Sequence, residues 1–196
     1  MSKYRSLRYQ NSLSVGNRLG RAVWGVAYLC LFRPTPRWAL HGWRRAVLRL
    51  FGAKIGEGCR IDPSVKIWAP WNLRVGDYVA IAERCDIYNV APIMIGSKAA
   101  VSQRSFLCTA SHDISSLLRP LTHEPIIIGA HAWIAAEAMV LPGAQVGEGA
   151  VIAARGVLRG LAAPWTIYAG NPACQVGTRR LGSPSETLAK VSEEPQ

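Results

Sequence analysis

Four histidines are the residues of this chain best suited to moving a proton near neutral pH: His41, His112, His123 and His131. A neutral imidazole can take a proton from a hydroxyl at that pH, which makes it the usual general base. His112 stands between Ser111 and Asp113 in a stretch without regular period, and is the candidate base. Asp113 or a backbone carbonyl is available to fix its tautomer. His123 shares the stretch. His131 falls inside a regular repeat and is expected to point outward, and His41 falls on an N-terminal helix, where a structural role is expected. Five cysteines (Cys30, Cys59, Cys85, Cys108 and Cys174) are odd in number, far apart and lack a CxxC pair. That argues against a disulfide framework and a structural zinc site, and for a cytosolic protein. Cys59, Cys85 and Cys108 read as small packing residues.

The elements that must position these side chains announce themselves through a period of six. Between Ile128 and Ile152 an aliphatic residue returns at every sixth place: Ile128, Ile134, Val140, Val146, Ile152. Helices repeat near 3.6 and strands at 2, so neither explains it. A six-residue repeat is the signature of a parallel β-helix, an all-β solenoid in which each hexapeptide makes one flat side. Three sides make a coil of about 18 residues, stacked at about 4.8 Å. The phase begins at Ile55, Ile61, Ile67 and Leu73, slips by two to Val75, Ile81, Ile87 and Ile93, and slips again to Ile95, Val101 and Leu107. Each early coil therefore carries a two-residue excursion at one corner. The phase is lost over residues 109–127, where His112 lies, and resumes at Ile128. A long irregular excursion from a rigid scaffold is a place for function.

Charge divides the chain. Residues 1–50 hold ten Lys and Arg and no Asp or Glu, although the whole chain, at +11, has 23 cations and 12 anions. The division expected is a basic N-terminal arm with amphipathic helices over 1–52, the β-helix over 53–178, and a polar tail over 179–196. One helix is expected over 17–32, capped by Asn17 and ended by Arg33-Pro34. A second is expected from Arg37 to Phe51, with Leu40, Trp43, Val47 and Leu50 as its apolar stripe and Arg44, Arg45 and Arg49 off it. Such a helix fits an anionic membrane surface, or a cap on the open end of the solenoid, or both. The apolar run Ala22–Phe32 is eleven residues long, too short to span a bilayer, and no signal peptide is evident. Nucleic-acid binding is not expected, because no recognition module accompanies the basic segment.

Certain stretches resemble a known family. The repeats, Ser111-His112-Asp113, Ala132-Trp133-Ile134-Ala135-Ala136 and Gly170-Asn171-Pro172-Ala173 resemble the hexapeptide-repeat acyltransferases, in the branch of the maltose and nodulation-factor O-acetyltransferases. Leu40-His41-Gly42-Trp43-Arg44-Arg45, Ile67-Trp68-Ala69-Pro70-Trp71-Asn72 and Leu107-Cys108-Thr109-Ala110 bring the resemblance closer to the acetyltransferases of colanic acid and related exopolysaccharide synthesis. The resemblance implies a left-handed β-helix, a homotrimer with sites between subunits, acetyl-CoA as donor and a sugar hydroxyl as acceptor. It implies His112 as general base, and Asn89 and Asp113 near the acceptor. It places the pantetheine arm beside Ala135 and Ala153, and the nucleotide phosphates near Arg159, helped by Arg155, Arg179 or Arg180. The exopolysaccharide setting implies a lipid-linked oligosaccharide acceptor and peripheral contact with the inner membrane face. Two alternatives remain: a zinc protein like the β-helical carbonic anhydrases, whose histidine spacing His112, His123 and His131 do not match, and a noncatalytic membrane-docked scaffold.

Overall fold

The computed structural model describes residues 14–182. The expected N-terminal arm therefore lies outside the described residues up to position 13, as does the polar tail from 183 onward. Helix α1 spans Val15–Ala27. Its cap is Ser14, whose hydroxyl accepts the N–H of Asn17 at 3.2 Å, so the cap falls three residues before the one expected. Asn17 instead accepts a bond from Arg21 Nε at 3.1 Å. A π-helical turn, Tyr28–Phe32, ends the segment before Arg33-Pro34. Trp24, Ala27 and Phe32 are buried, while Val15, Leu19, Val23, Val26 and Leu29 lie exposed along the other side.

Helix α2 spans His41–Leu50, shorter than expected. Its buried face is also not the expected stripe. Of Leu40, Trp43, Val47 and Leu50 only Val47 is buried, and Leu50 is 78% exposed. The side chain that goes inward with Val47 and Leu48 is Arg44, at 0% exposure. Its Nε donates to Ile61 O at 2.7 Å, and Nη1 donates to Thr35 Oγ1, Pro36 O and Ala39 O at 2.9 to 3.0 Å. Nη2 meets His41 Nδ1 at 2.7 Å. A buried cation is tolerated when each of its nitrogens has a partner, as here.

The reason lies in the first coil, whose carbonyls face no coil beneath. Arg44 takes Ile61 O, Arg45 takes Cys59 O at 3.2 Å, Arg49 takes Ile55 O at 2.6 Å, and Trp24 Nε1 takes Ile67 O at 2.7 Å. The N-terminal helices thus satisfy an open β edge with side-chain donors, which is how a solenoid end avoids pairing with another chain. Three of the N-terminal arginines serve the cap rather than an external partner.

The rest is a left-handed parallel β-helix. Its first face stacks six strands, Lys54–Ile55, Leu73–Val75, Ile93–Ile95, Ile126–Ile128, Gln145–Val146 and Leu161–Ala162. The third stacks five, Lys66–Ile67, Asp86–Tyr88, Phe106–Cys108, Met139–Val140 and Val157–Leu158. The second face, from Arg60–Ile61 to Thr166–Ala169, ends in an antiparallel strand, Cys174–Thr178, that closes the far end. Every aliphatic residue of the six-residue phase is buried, and each is worth about 2 kcal/mol in apolar burial.

Two positions per repeat face inward, as strand alternation requires. The aliphatic residue is one, and the residue two before it is the other: Cys59, Val65, Val79, Cys85, Ala99, Ser105, Ala132, Ala138, Ala144 and Ala150 are all buried. The cysteines expected to pack do so. Burial raises the thiols of Cys59 and Cys108 and pushes Cys85 up to about 12, which keeps them unreactive. At most corners the residue just before the inward one lies in the left-handed region, as at Tyr78, Arg84, Lys98, Arg104, His131, Glu137 and Arg155. The two-residue excursions fall where expected, at Pro70–Asn72 and around residues 89–92, on the edge between the third and first faces. The long excursion leaves that same edge and returns in register, with Ile128 over Ile95.

Candidate active site

The excursion is a β-hairpin. Ala110–His112 pairs antiparallel with Leu121–His123, placing Ala110 opposite His123, Ser111 opposite Thr122 and His112 opposite Leu121. Its root is anchored by Thr109, whose buried hydroxyl donates to Tyr88 O and accepts from Ala91 N, both at 3.0 Å. His112 is exposed, and its Nδ1 lies 2.7 Å from Arg119 O. A carbonyl only accepts, so Nδ1 carries the hydrogen, and in the neutral ring Nε2 holds the lone pair. Nε2 has no partner among the described residues.

The orienting group is therefore a backbone carbonyl, and Asp113 does another task. Its N–H donates to Pro120 O at 3.0 Å, and its Oδ1 accepts from Ser115 N at 2.9 Å and Ser115 Oγ at 2.6 Å. These bonds hold the carboxyl below its usual range and shape the loop tip. Arg119 sits at φ 44, in the left-handed region, which turns its carbonyl back toward the ring.

In this chain Asn89 turns to the backbone of the coil beneath it. It is 0% exposed; its Oδ1 accepts Ala69 N at 2.9 Å and its Nδ2 donates to Ala69 O at 2.7 Å. The amide replaces the ladder bonds that the two-residue excursion removes, and its burial keeps it off the surface of this chain. A structural need at a corner accounts for it.

His112 and His123 share the hairpin, but His131 lies on a different edge, its ring stacked at 6.4 Å on Trp165. Among the described residues no three His, Cys, Asp or Glu side chains gather as a metal site.

Ala135 and Ala153 lie one above the other on the edge between the second and third faces. Their N–H groups are already donated, to Ile152 O at 2.9 Å and Tyr168 O at 2.8 Å. What they offer a ligand is a low wall without side chains. Arg159 stands on the hairpin's own edge, two coils beyond it, and is exposed, as is Arg180. Arg179 is instead docked, donating to His131 O and Gly149 O at 2.7 and 3.0 Å. One chain thus divides the expected site between two edges of a three-sided prism. A second cluster escaped the sequence: Arg33, Arg84, Gln103 and Arg104 line a cleft of about 530 Å³ beside Asp62 and Glu83. Its signal was present, because Arg84 and Arg104 are one coil of 20 residues apart.

Residues 125–160 match the family model of the bacterial transferase hexapeptide, six repeats. An Escherichia coli (strain K12) protein, WcaF, named for acetyl transfer in colanic acid biosynthesis, is 39% identical over 165 residues, covering 84% of this chain and 90% of its own. The chain belongs to the hexapeptide-repeat acetyltransferases. This acetyltransferase also shares its fold with solved structures. The hexapeptide-repeat acetyltransferase VCA0836 of Vibrio cholerae O1 biovar eltor, complexed with acetyl coenzyme A, matches with a TM-score of 0.79 at 22% identity, covering 87% of this chain and 93% of the other. A maltose O-acetyltransferase from Clostridium difficile 630 matches at 0.74 and 23%, covering 86% and 90%.

Proposed function

We propose that this acetyltransferase moves the acetyl group of acetyl-CoA to a hydroxyl of a sugar, with His112 as general base. The observation that carries the reading is the bond from His112 Nδ1–H to Arg119 O, which in the neutral ring puts the lone pair on Nε2. Nε2 takes the proton of the acceptor hydroxyl as its oxygen attacks the thioester carbonyl. The tetrahedral intermediate collapses, the C–S bond breaks, and the imidazolium returns the proton to the leaving thiolate. Acceptor alcohol and thioester become ester and free coenzyme A, with no other reactant required.

The two-edge arrangement supports a trimer. The hairpin of one copy, carrying His112, would meet the Ala135 and Ala153 wall of the next, and the pantetheine arm would run along that wall. Arg159 and Arg180 are exposed cations for the nucleotide phosphates, for which the planar guanidinium is suited. Asp113 lies on the same hairpin, and its remaining carboxylate oxygen is available to an acceptor hydroxyl.

The exposed line of Val15, Leu19, Val23, Val26 and Leu29 on α1, in a segment rich in arginine and without acids, supports peripheral contact with an anionic membrane and a lipid-linked acceptor. No helix among the described residues is long and apolar enough to cross a membrane. Flotation with phosphatidylglycerol vesicles at low salt, lost at high salt, is the expected behaviour. Incubation with acetyl-CoA and a panel of lipid-linked and free oligosaccharides, with mass analysis of the products, tests the function. An acetyl ester on a sugar is the result expected. A protein that neither binds coenzyme A nor forms any ester would be a scaffold instead.

A further inference from the structure

We propose that the cleft of Arg33, Arg84 and Arg104 binds a phosphoryl group of the acceptor, so that the acceptor is a sugar carried on a phosphate or diphosphate. The inference rests on the acetyltransferase reading and adds the substrate class.

Position is the first argument. The edge between the second and third faces is a ladder of equivalent corners: Asp62–Ser64, Ala82–Arg84, Ser102–Arg104, Ala135–Glu137 and Ala153–Arg155. Backbone bonds stack them, from Asp62 N to Ile81 O, Ala82 N to Val101 O, Ser102 N to Ile134 O and Ala135 N to Ile152 O, all at 2.8 to 2.9 Å. The cleft occupies the first three corners, and the low wall of Ala135 and Ala153 follows on the same line. From the Arg84 corner to the Ala135 corner is two coils, about 10 Å. A ligand group in the cleft is thus in line with the donor wall and separated from it by room for a sugar unit.

Charge is the second. The cleft holds two carboxylates, and one arginine holds both: Arg37 Nε lies 2.9 Å from Asp62 Oδ2, and its Nη2 bonds Glu83 Oε2. Arg104 pairs with Glu137 at 2.7 Å, but Glu137 is shared with Arg155 at 2.7 Å. Among the described residues the Arg33 guanidinium reaches only the Tyr28 hydroxyl, at 3.5 Å. The guanidinium of Arg84 has no hydrogen-bond or ion-pair partner among the described residues. Its backbone is nevertheless fixed, with φ at 57 and its N–H donated to Ser64 Oγ at 2.8 Å. A locked corner holding an unpaired guanidinium beside others is arranged to take an oxyanion, and the planar fork matches phosphate oxygens. The phosphates of coenzyme A do not need this cleft, since Arg159 and Arg180 stand at the later coils.

An adjoining hollow of about 490 Å³ shares Arg37 and Asp62 and is lined by Ile81 and the exposed Trp38. It gives an apolar group attached to the phosphate a surface to lie on.

The test uses the full-length protein saturated with coenzyme A, so that the donor's own phosphate sites are filled. Calorimetry then measures binding of UDP-glucose, geranyl diphosphate and glucuronate to wild type and to Arg84→Asn, asparagine being at ease in the left-handed region. The expected result is that a diphosphate binds and weakens at least tenfold in Arg84→Asn, while coenzyme A binds both proteins equally. Tighter geranyl diphosphate assigns the phosphate to a lipid carrier, and tighter UDP-glucose to a nucleotide. Equal diphosphate affinity in the two proteins, no diphosphate binding, or glucuronate binding in its place overturns the inference. Failure of coenzyme A itself to bind the wild type would sink the acetyltransferase reading, and this inference with it.

Discussion

The carbonyl oxygen of Arg119 stands 2.7 Å from Nδ1 of His112, across the hairpin that leaves the solenoid. The bond ties the tautomer and orientation of an exposed ring to the backbone conformation of a residue seven positions on. Arg119 can make it because its φ is 44, a value β-branched residues resist. Arg119→Val should therefore displace the carbonyl and lower kcat about tenfold or more, with little change in the KM for acetyl-CoA. Arg119→Gly should retain most of the activity, because glycine adopts the same φ freely. Steady-state kinetics of the two variants decide it, and equal losses in both would point to the arginine side chain instead.

Asn89 gives a prediction of the opposite kind. Asn89→Ala leaves the Ala69 N–H buried without a partner and its C=O with only the Asn72 N–H, at a cost of about 2 kcal/mol. Urea unfolding should show that loss, and acceptor KM should stay near the wild-type value. A large rise in acceptor KM in a variant of normal stability would restore the substrate role.

Arg44 is held by the same logic. Arg44→Met keeps the volume but abandons four backbone or hydroxyl oxygens and the His41 ring nitrogen, and should destabilise the fold by about 3 kcal/mol or more. The change in urea midpoint measures it. A near-neutral result would mean that water replaces the arginine in capping the first coil.

His41 makes the cap sensitive to pH. Burial lowers its pKa from 6.5, and the adjacent Arg44 lowers it further. The folded state therefore favours the neutral ring, whose Nδ1 accepts from Arg44. Its contribution to stability is complete above the unfolded value of 6.5 and is lost as pH falls through that value toward the lower native one. Thermal unfolding at pH 7.5 and 5.0 should show a smaller acid loss in His41→Asn, whose carbonyl accepts the same bond without titrating. Parallel losses in the two proteins would assign the effect elsewhere.

These predictions also mark what could be read from the sequence. The six-residue phase identified the aliphatic core from Ile55 to Leu158, because one inward position of each repeat is filled by Ile, Leu or Val. Ile126 and Ala162, equally buried, went unread: one follows the irregular stretch after Pro125, and the other is too small to register as aliphatic. The break that holds His112 was legible, since the six-residue phase stops before it and resumes at Ile128. Asn89 and Arg44 make bonds that were hidden for one reason. Each is a polar side chain whose work is to satisfy backbone groups of a neighbouring coil, and that need appears only when the coils are stacked. The arginine cleft was hidden similarly, since Arg33 reaches it from beyond α1 and the corner arginines meet only across coils.

The central claim is that Nε2 of His112 takes the acceptor's proton, and the most direct measurement is acetyl transfer by His112→Asn. Asparagine keeps a donor near Arg119 O but offers no basic nitrogen. The account predicts a kcat lower by about 10² to 10⁴-fold, with coenzyme A affinity unchanged by calorimetry. Transfer at the wild-type rate in a variant that binds coenzyme A normally would contradict it.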